Sequence, residues 1–331
     1  MPVDYSEIIR QHGWIVAPKQ KCILSPDSDG FLCGLLMSNI LEWTVEGFYD
    51  GKVLLVRNGV SFEDCVFVDM DINRANIKSI GHHMVIYNKR ISHSNQQYSN
   101  CIQPNMIRGF DGKKDFQKKY PFGTIHLLLG IIQQQGLIQP LNPQSLWPLL
   151  FTDGVWNNLF GYTENCLDWI QFLRINDSGH ILNSIFCSSN YSFYEIMNGL
   201  NDFLRMRDNH NAQGYYQNNN YHSGGRNRRT GDKLKISGKD GGFINLVQQD
   251  NRLAIHEQEK NRIVNFISNM GDQFGFHYIP DKWRWDDLQL RIFQKNICKS
   301  LKNTAYLNIM DQNPFSMAMT SRTDIEYTLV P

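Results

Sequence analysis

The stretch CILSPDSDG, residues 22–30, decides how the first part of this chain folds. Its first three residues form a short apolar run of the kind that makes a buried strand. A segment with turn chemistry follows, and Gly30 permits a close backbone approach or an unusual φ where the next helix starts. The stretch therefore predicts a strand that ends in an acidic turn, with Asp27 and Asp29 one residue apart.

An apolar run that ends in acidic residues occurs twice more in the chain. VFVDMD, residues 66–71, contains Asp69, and LLFTDG, residues 149–154, contains Asp153. Two histidines, His82 and His83, follow Gly81 between these runs. The carboxyl ends of neighbouring parallel strands converge on one crevice, so these side chains can meet there. Carboxylates gathered in this way repel each other unless a cation lies between them, and oxygen ligands with occasional imidazole suit Mg²⁺ or Mn²⁺. The sequence therefore predicts a divalent-metal site.

Strand-like and helix-like segments alternate along the first half, which predicts an α/β protein. Strands are expected over residues 22–24, 52–57 and 65–69, and helices over 31–49 and 122–135. A further helix is expected over residues 285–301 in the second half. We predict a parallel-sheet N-terminal domain followed by a smaller α/β C-terminal domain.

A chain of 331 residues is longer than one typical core, so two domains are expected. The segment 207–232 is rich in Asn, Gln, Gly and Tyr, which favours a polar linker or an insertion. This divides the chain into a metal-binding domain at 1–206, the linker, and a substrate-binding domain at 233–331.

The densest basic patch of the chain begins near the end of this linker. It contains Arg226, Arg228 and Arg229, which are candidates for binding substrate phosphates. A solvated linker is the alternative interpretation.

The amino-acid composition limits which cellular compartment and which binding partners are expected. Lys and Arg total 33 against 32 for Asp and Glu, so the formal charge of +1 creates no whole-chain attraction to nucleic acid or membrane. The seven cysteines are scattered and form no CxxC pair, which favours reduced thiols. No apolar stretch approaches the length of a membrane span or of a signal peptide core. We therefore expect a cytoplasmic protein without a membrane partner.

Taken in order, SPDSDG, VDMD, GHH and TDG resemble the motifs of the DHH (Asp-His-His) phosphoesterase superfamily. That superfamily includes RecJ-type exonucleases, nano-RNases and manganese-dependent inorganic pyrophosphatases. The resemblance covers roughly residues 20–160, about half of the chain, in the order and approximate spacing of the family. It implies a DHH-like metal-binding fold for the N-terminal domain.

The resemblance also implies roles for the matched residues. Asp27 would bind a first metal and Asp29 a second, while Asp69 would bridge the two. His82 and Asp153 would complete the second site. His83 would be the catalytic residue that contacts the scissile phosphate. The implied cofactors are two ions of Mn²⁺ or Mg²⁺, with a hydroxide between them attacking phosphorus in line.

The sequence departs from the family pattern at two positions. Residues 23–25 read Ile-Leu-Ser where the family usually supplies a histidine, and Gly81 stands where the family has the first Asp of its name. These departures leave open whether the first ion binds weakly, is held by carboxylates and water alone, or is absent. The resemblance also makes Asp71 a candidate substitute ligand or a hydrogen-bond partner of a ligand.

The leading hypothesis is a metal-dependent phosphoesterase that hydrolyses phosphodiester or phosphomonoester bonds of short oligonucleotides or nucleotides. One alternative is a catalytically impaired protein of the same fold that binds a nucleotide or nucleic acid. A pyrophosphatase-like enzyme is a third interpretation. Metal content and hydrolysis distinguish the first two.

Overall fold

The structure is a computed structural model that describes residues 2–91, 97–209, 231–249 and 252–330. It contains a nine-stranded mixed sheet, a three-stranded antiparallel sheet, and helices packed around them. This confirms the predicted α/β class. No helix in the described ranges is both long and apolar enough to cross a membrane.

The strands, in chain order, are β1 (Lys21–Leu24), β2 (Thr44–Tyr49), β3 (Val53–Arg57), β4 (Val66–Val68), β5 (Ser79–Ile80), β6 (Cys101–Ile102), β7 (Leu246–Gln249), β8 (Arg252–Ile255), β9 (Leu288–Ile292), β10 (Gln294–Cys298), β11 (Ser316–Met319) and β12 (Ile325–Leu329).

The helices are α1 (Tyr5–Gln11), α2 (Ser28–Ile40), α3 (Pro104–Ile107), α4 (Gly112–Asp115), α5 (Thr124–Gln134), α6 (Leu146–Phe151), α7 (Val155–Gly161), α8 (Thr163–Phe172), α9 (Asn183–Phe186), α10 (Phe193–Asn209), α11 (Glu257–Phe274) and α12 (Asn303–Asp311).

The large sheet has the order β6-β5-β4-β1-β2-β3-β9-β8-β7. Its first five strands are parallel, and the pairs from β2 to β7 are antiparallel. Strands β7 to β9 come from the second half of the chain, so the predicted segments 1–206 and 233–331 share one sheet. The small sheet has the order β10-β12-β11.

Both faces of the large sheet are covered, as the alternation of side chains along β1 and β3 illustrates. Cys22 and Leu24 of β1 belong to the main core, whereas Ile23 between them belongs to a second core on the opposite face. Helices α2 and α5 pack against each other in the main core. The C-terminal ends of the parallel strands β1 and β4 lie at one edge of the sheet, beside the first residues of α2 and α5.

Two predicted helices are wrong in part or entirely. The helix expected over residues 31–49 ends at Ile40, and residues 44–49 form β2 instead. The helix expected over residues 285–301 is replaced by β9 and β10. For the apolar run 149–154, which leaves Asp153 at a strand end or in a loop, the structure has no strand: the run forms the end of α6 and a turn at residues 152–154, so Asp153 lies in a loop.

Candidate metal centre

Four of the predicted metal ligands meet at the edge where α2 and α5 begin. Asp29, Asp69, His82 and Asp153 each offer a ligand atom, and these atoms all lie within 4.8 Å of one another. The four residues come from four separate parts of the sequence. A cluster of three carboxylates and one imidazole matches the hard-donor set that Mn²⁺ and Mg²⁺ use in proteins.

Asp29 is fixed by the start of another helix. Its side chain is fully buried, and its two carboxylate oxygens accept hydrogen bonds from the backbone N–H groups of Thr124 (2.6 Å) and Ile125 (3.0 Å). The N-terminus of a helix carries unpaired N–H donors that favour an anion. Gly123 makes this approach possible, because a Cβ there would lie 2.9 Å from Asp29 Cγ and from Asp153 Oδ2.

Asp69 lies one residue beyond β4 and is nearly buried. Its Oδ1 accepts a hydrogen bond from the Thr124 hydroxyl at 2.7 Å and lies 3.1 Å from His82 Nδ1. His82 Nδ1 also lies 3.0 Å from the same hydroxyl. Thr124 thus links Asp69 to His82 and fixes the distance between the two potential ligands.

Asp153 reaches the cluster from the turn that follows α6. Its Oδ2 lies 3.6 Å from His82 Nε2, whereas Asp69 lies beside the other ring nitrogen, Nδ1. Both Asp153 (φ 50°) and Asp69 (φ 63°) have left-handed backbone conformations, which are uncommon for residues other than glycine. Two such conformations at one cluster indicate that the surrounding fold holds these carboxylates in place at an energetic cost.

Burial and mutual repulsion disfavour the ionised forms of Asp29 and Asp69. Burial, followed by the charges of Asp69 and Asp153, raises the pKa of Asp29 well above its ordinary value. Burial, followed by Asp27 and Asp153, does the same for the pKa of Asp69. For Asp153 burial also acts upward, but His82, a hydrogen bond with Asp29 and other neighbours outweigh it and lower its pKa. A cation among these carboxylates would relieve the repulsion that keeps protons on two of them.

Asp27, the predicted ligand of a first metal, lies outside the four-residue cluster. It caps α2, where its Oδ1 accepts from the backbone N–H of Gly30 at 3.4 Å. Its Oδ2 lies 3.5 Å from Nζ of Lys233. The structure therefore brings Asp27 next to a lysine.

His83 lies beside the cluster, and Asp71 holds it there. Asp71 Oδ2 accepts from the backbone N–H of His83 at 3.1 Å and lies 3.3 Å from its ring Nδ1. The His83 ring stacks on that of His82 with centroids 4.3 Å apart, and its side chain is 46% exposed. A Cβ at Gly81 would lie 2.6 Å from Asp71 Cγ, so glycine leaves the space that this carboxylate fills. Support for His83, which Gly81 itself cannot give, thus comes from Asp71, whereas His82 is held by Asp69 and Thr124.

A cleft of about 490 Å³ opens beside the cluster. The small sheet forms one wall, with Met317 and Tyr327, and the acidic strand ends and His83 form another. The basic side chains that line the cleft are Lys52, Lys233, Lys235 and Lys295. The predicted substrate-binding residues Arg226, Arg228 and Arg229 lie outside the described residues.

Sequence reasoning missed the parts played by Gly123, Thr124 and Lys233. Thr124 was interpretable from sequence only as a possible cap of an apolar helix, and Lys233 only as part of a basic patch. One signal for Thr124 was available, since the start of a buried helix attracts a carboxylate. Nothing local to Lys233 indicates that it lies beside Asp27.

No protein-family model matches the chain, and neither a curated protein nor a solved structure matches it significantly. The resemblance to the DHH phosphoesterases therefore stays a prediction.

Proposed function

We propose that this protein is a metal-dependent phosphoesterase of the DHH type that acts on short oligonucleotides or nucleotides. The observation that carries the proposal is the convergence of Asp29, Asp69, His82 and Asp153 within 4.8 Å. Mn²⁺ or Mg²⁺ would be held by these four side chains. When bound, such an ion activates water and neutralises charge on phosphoryl oxygens.

The side chains around the cluster are suited to position a phosphoester. With Nδ1 of His83 held by Asp71, Nε2 is the ring nitrogen that would contact a phosphoryl oxygen or exchange a proton with the leaving group. Lys233 lines the same cleft and would attract the anionic group by its charge. Thr124 keeps Asp69 and His82 at a fixed separation.

The lining of the cleft favours an organic phosphoester over inorganic pyrophosphate. Its apolar surface includes Met70, Leu234, Met317 and Tyr327 alongside the lysines. Binding sites for organic ligands use apolar surface together with placed polar groups, and this cleft offers apolar side chains among its charged ones within the usual range of volumes. A nucleobase or sugar has surface to bury there, whereas pyrophosphate has none.

A second candidate function is a nucleotide-binding protein without turnover. One observation favours it, because Asp27 is paired with Lys233 and lies outside the metal cluster. If hydrolysis needs two ions, such a site would bind a phosphate group without cleaving it.

The proposal predicts Mn²⁺-dependent hydrolysis of bis(p-nitrophenyl) phosphate and of oligonucleotides of two to five residues. The double variant Asp29→Asn, His82→Ala should lose about 1,000-fold in kcat/KM or more, because it removes two ligands. The asparagine oxygen still accepts one helix N–H group but its NH2 group faces the other, so circular dichroism and thermal unfolding of the variant check that it is folded.

The matched control removes a carboxylate–imidazole pair elsewhere on the surface. Asp272 and His277 lie 3.1 Å apart and are exposed, so Asp272→Asn, His277→Ala should retain wild-type turnover. Inorganic pyrophosphate serves as the substrate without an organic group. Turnover of pyrophosphate alone would favour the pyrophosphatase interpretation. Turnover of none of the substrates by folded, Mn²⁺-loaded protein would favour the binding protein.

A further inference from the structure

Asp27 and the metal cluster share the acidic edge of the sheet but have different partners. The four clustered residues surround one point, and Asp27 is not among them. Asp27 is close enough to Asp69 for its charge to raise the pKa of that residue, so the two carboxylates act on each other. A second positive charge beside Asp27 is therefore electrostatically favoured.

Lys233 supplies that charge from the second half of the chain. Its Nζ lies 3.5 Å from Asp27 Oδ2, and the charge of Asp27 raises the pKa of Lys233 against an opposing effect of burial. Asp232 and Asp153 act in the same direction as Asp27. The ammonium group thus experiences the field of the whole acidic edge.

The backbone around Lys233 is anchored beside Asp27. The N–H of Leu234 donates to the carbonyl oxygen of Pro26 at 2.9 Å, one residue before Asp27. The guanidinium of Arg262 donates to the carbonyl oxygens of Gly231 and Lys233, both at 2.6 Å. Arg262 is in turn paired with Glu259 at 2.7 Å. The lysine is therefore held next to Asp27 by backbone hydrogen bonds as well as by its own charge.

We propose that the ammonium group of Lys233 takes the place of a second metal ion in this site. One divalent ion would be held by Asp29, Asp69, His82 and Asp153, while Lys233 neutralises Asp27 and faces the cleft that both residues line. This inference rests on the proposed phosphoesterase function. The sequence resemblance implied two metal ions, whereas this proposal has one metal ion and the ammonium group of Lys233.

An ammonium group in place of a second metal ion has a chemical consequence for catalysis. An ammonium group donates hydrogen bonds to phosphoryl oxygens and offsets their charge, but it has no vacant coordination position for a water molecule. Lys233 would therefore bind the substrate phosphate, and activation of water would depend on the single ion. Both functions would be needed for turnover.

The test is the number of Mn²⁺ ions bound per chain, measured by metal analysis after equilibrium dialysis and by electron paramagnetic resonance. Wild-type protein should bind one ion and show the six-line spectrum of an isolated Mn²⁺. Lys233→Met keeps the length of the side chain but removes the charge, and it should bind a second ion near Asp27 and show a spectrum broadened by coupling. Asp27→Asn should still bind one ion, since Asp27 is not a ligand.

The control variant is Lys19→Met, which breaks a lysine–carboxylate pair of similar length between Lys19 and Glu42 (3.8 Å). It should bind one ion, like the wild type. Two ions in the wild type, or one ion in Lys233→Met, would overturn the inference and leave the phosphoesterase proposal standing. No bound ion in the wild type would overturn both. One bound ion without hydrolysis of any phosphoester would overturn only the proposed function.

Discussion

Replacing Asp69 with asparagine is expected to abolish Mn²⁺ binding and to reduce phosphoester hydrolysis by about 1,000-fold or more, equivalent to about 4 kcal/mol. Asp69 contacts His82 and Thr124 and lies within the ligand cluster, so its charge is central to the site. Asparagine tolerates the left-handed φ of 63° at this position and retains one oxygen to accept from Thr124. The variant should therefore lose the charge without losing the fold.

In contrast to its effect on metal binding, Asp69→Asn should increase the stability of the metal-free protein. Burial and the charges of Asp27 and Asp153 raise the pKa of Asp69 in the folded state above its unfolded value. The folded state then holds a proton that the unfolded state releases, so the free energy of unfolding falls as pH rises above the ordinary Asp pKa. At pH 7.5 without metal, Asp69→Asn should have a higher Tm than the wild type. Added Mn²⁺ should raise the Tm of the wild type only.

Asp287 serves as a matched control because it shares the backbone conformation of Asp69. Asp287 also has a left-handed φ (52°), but it is paired with Arg252 and does not belong to the cluster. Asp287→Asn should bind Mn²⁺ as the wild type does. Unchanged Mn²⁺ affinity in Asp69→Asn would contradict the proposed ligand set.

Replacing Gly30 with alanine is expected to cause the largest loss of stability at the site, about 3 kcal/mol in the free energy of unfolding. A Cβ at Gly30 would overlap the carbonyl oxygen of Ser25 and lie 2.9 Å from its carbon. Gly30 is not among the residues with positive φ, so space alone requires glycine here. The first turn of α2, which carries Asp29, would have to move away from Ser25.

That movement should also weaken metal binding, since Asp29 is positioned by the same turn of α2. Guanidinium unfolding and Mn²⁺ titration of Gly30→Ala measure the two effects. Gly13→Ala is the control, because a Cβ there meets nothing within 4 Å and its φ is not positive. It should change the free energy of unfolding by less than about 1 kcal/mol. Wild-type stability of Gly30→Ala would show that α2 can shift without cost and would remove this explanation of the motif.

Local patterns predicted those parts of the fold that local burial determines. β1, β4 and α5 are short, nearly continuous apolar segments, and each was predicted close to its observed position. The error at residues 44–49 has a tertiary cause, because β2 is held by parallel pairing with β1 and by antiparallel pairing with β3. β9 was missed for the same reason, since its partner β3 lies more than 200 residues earlier in the chain.

In the candidate site, too, features marked by local patterns were predictable, whereas contacts between distant segments were not. Asp29, Asp69, His82 and Asp153 were recognisable because each follows or precedes a strong apolar run, although the run before Asp153 is a helix. The pairing of Asp27 with Lys233 was not recognisable, because it depends on how a segment about 200 residues later docks against Pro26. The support that Asp71 gives to His83 depends on the space beside Gly81, which no sequence pattern reports.

Asp29, Asp69, His82 and Asp153 are proposed to hold a divalent cation together. The most direct measurement is an anomalous-difference map from crystals grown with Mn²⁺, recorded at the manganese absorption edge. We expect one strong peak within bonding distance of ligand atoms from all four residues, and no peak beside Asp27. A map with no peak at the cluster, from crystals in which Mn²⁺ is present at millimolar concentration, would contradict it.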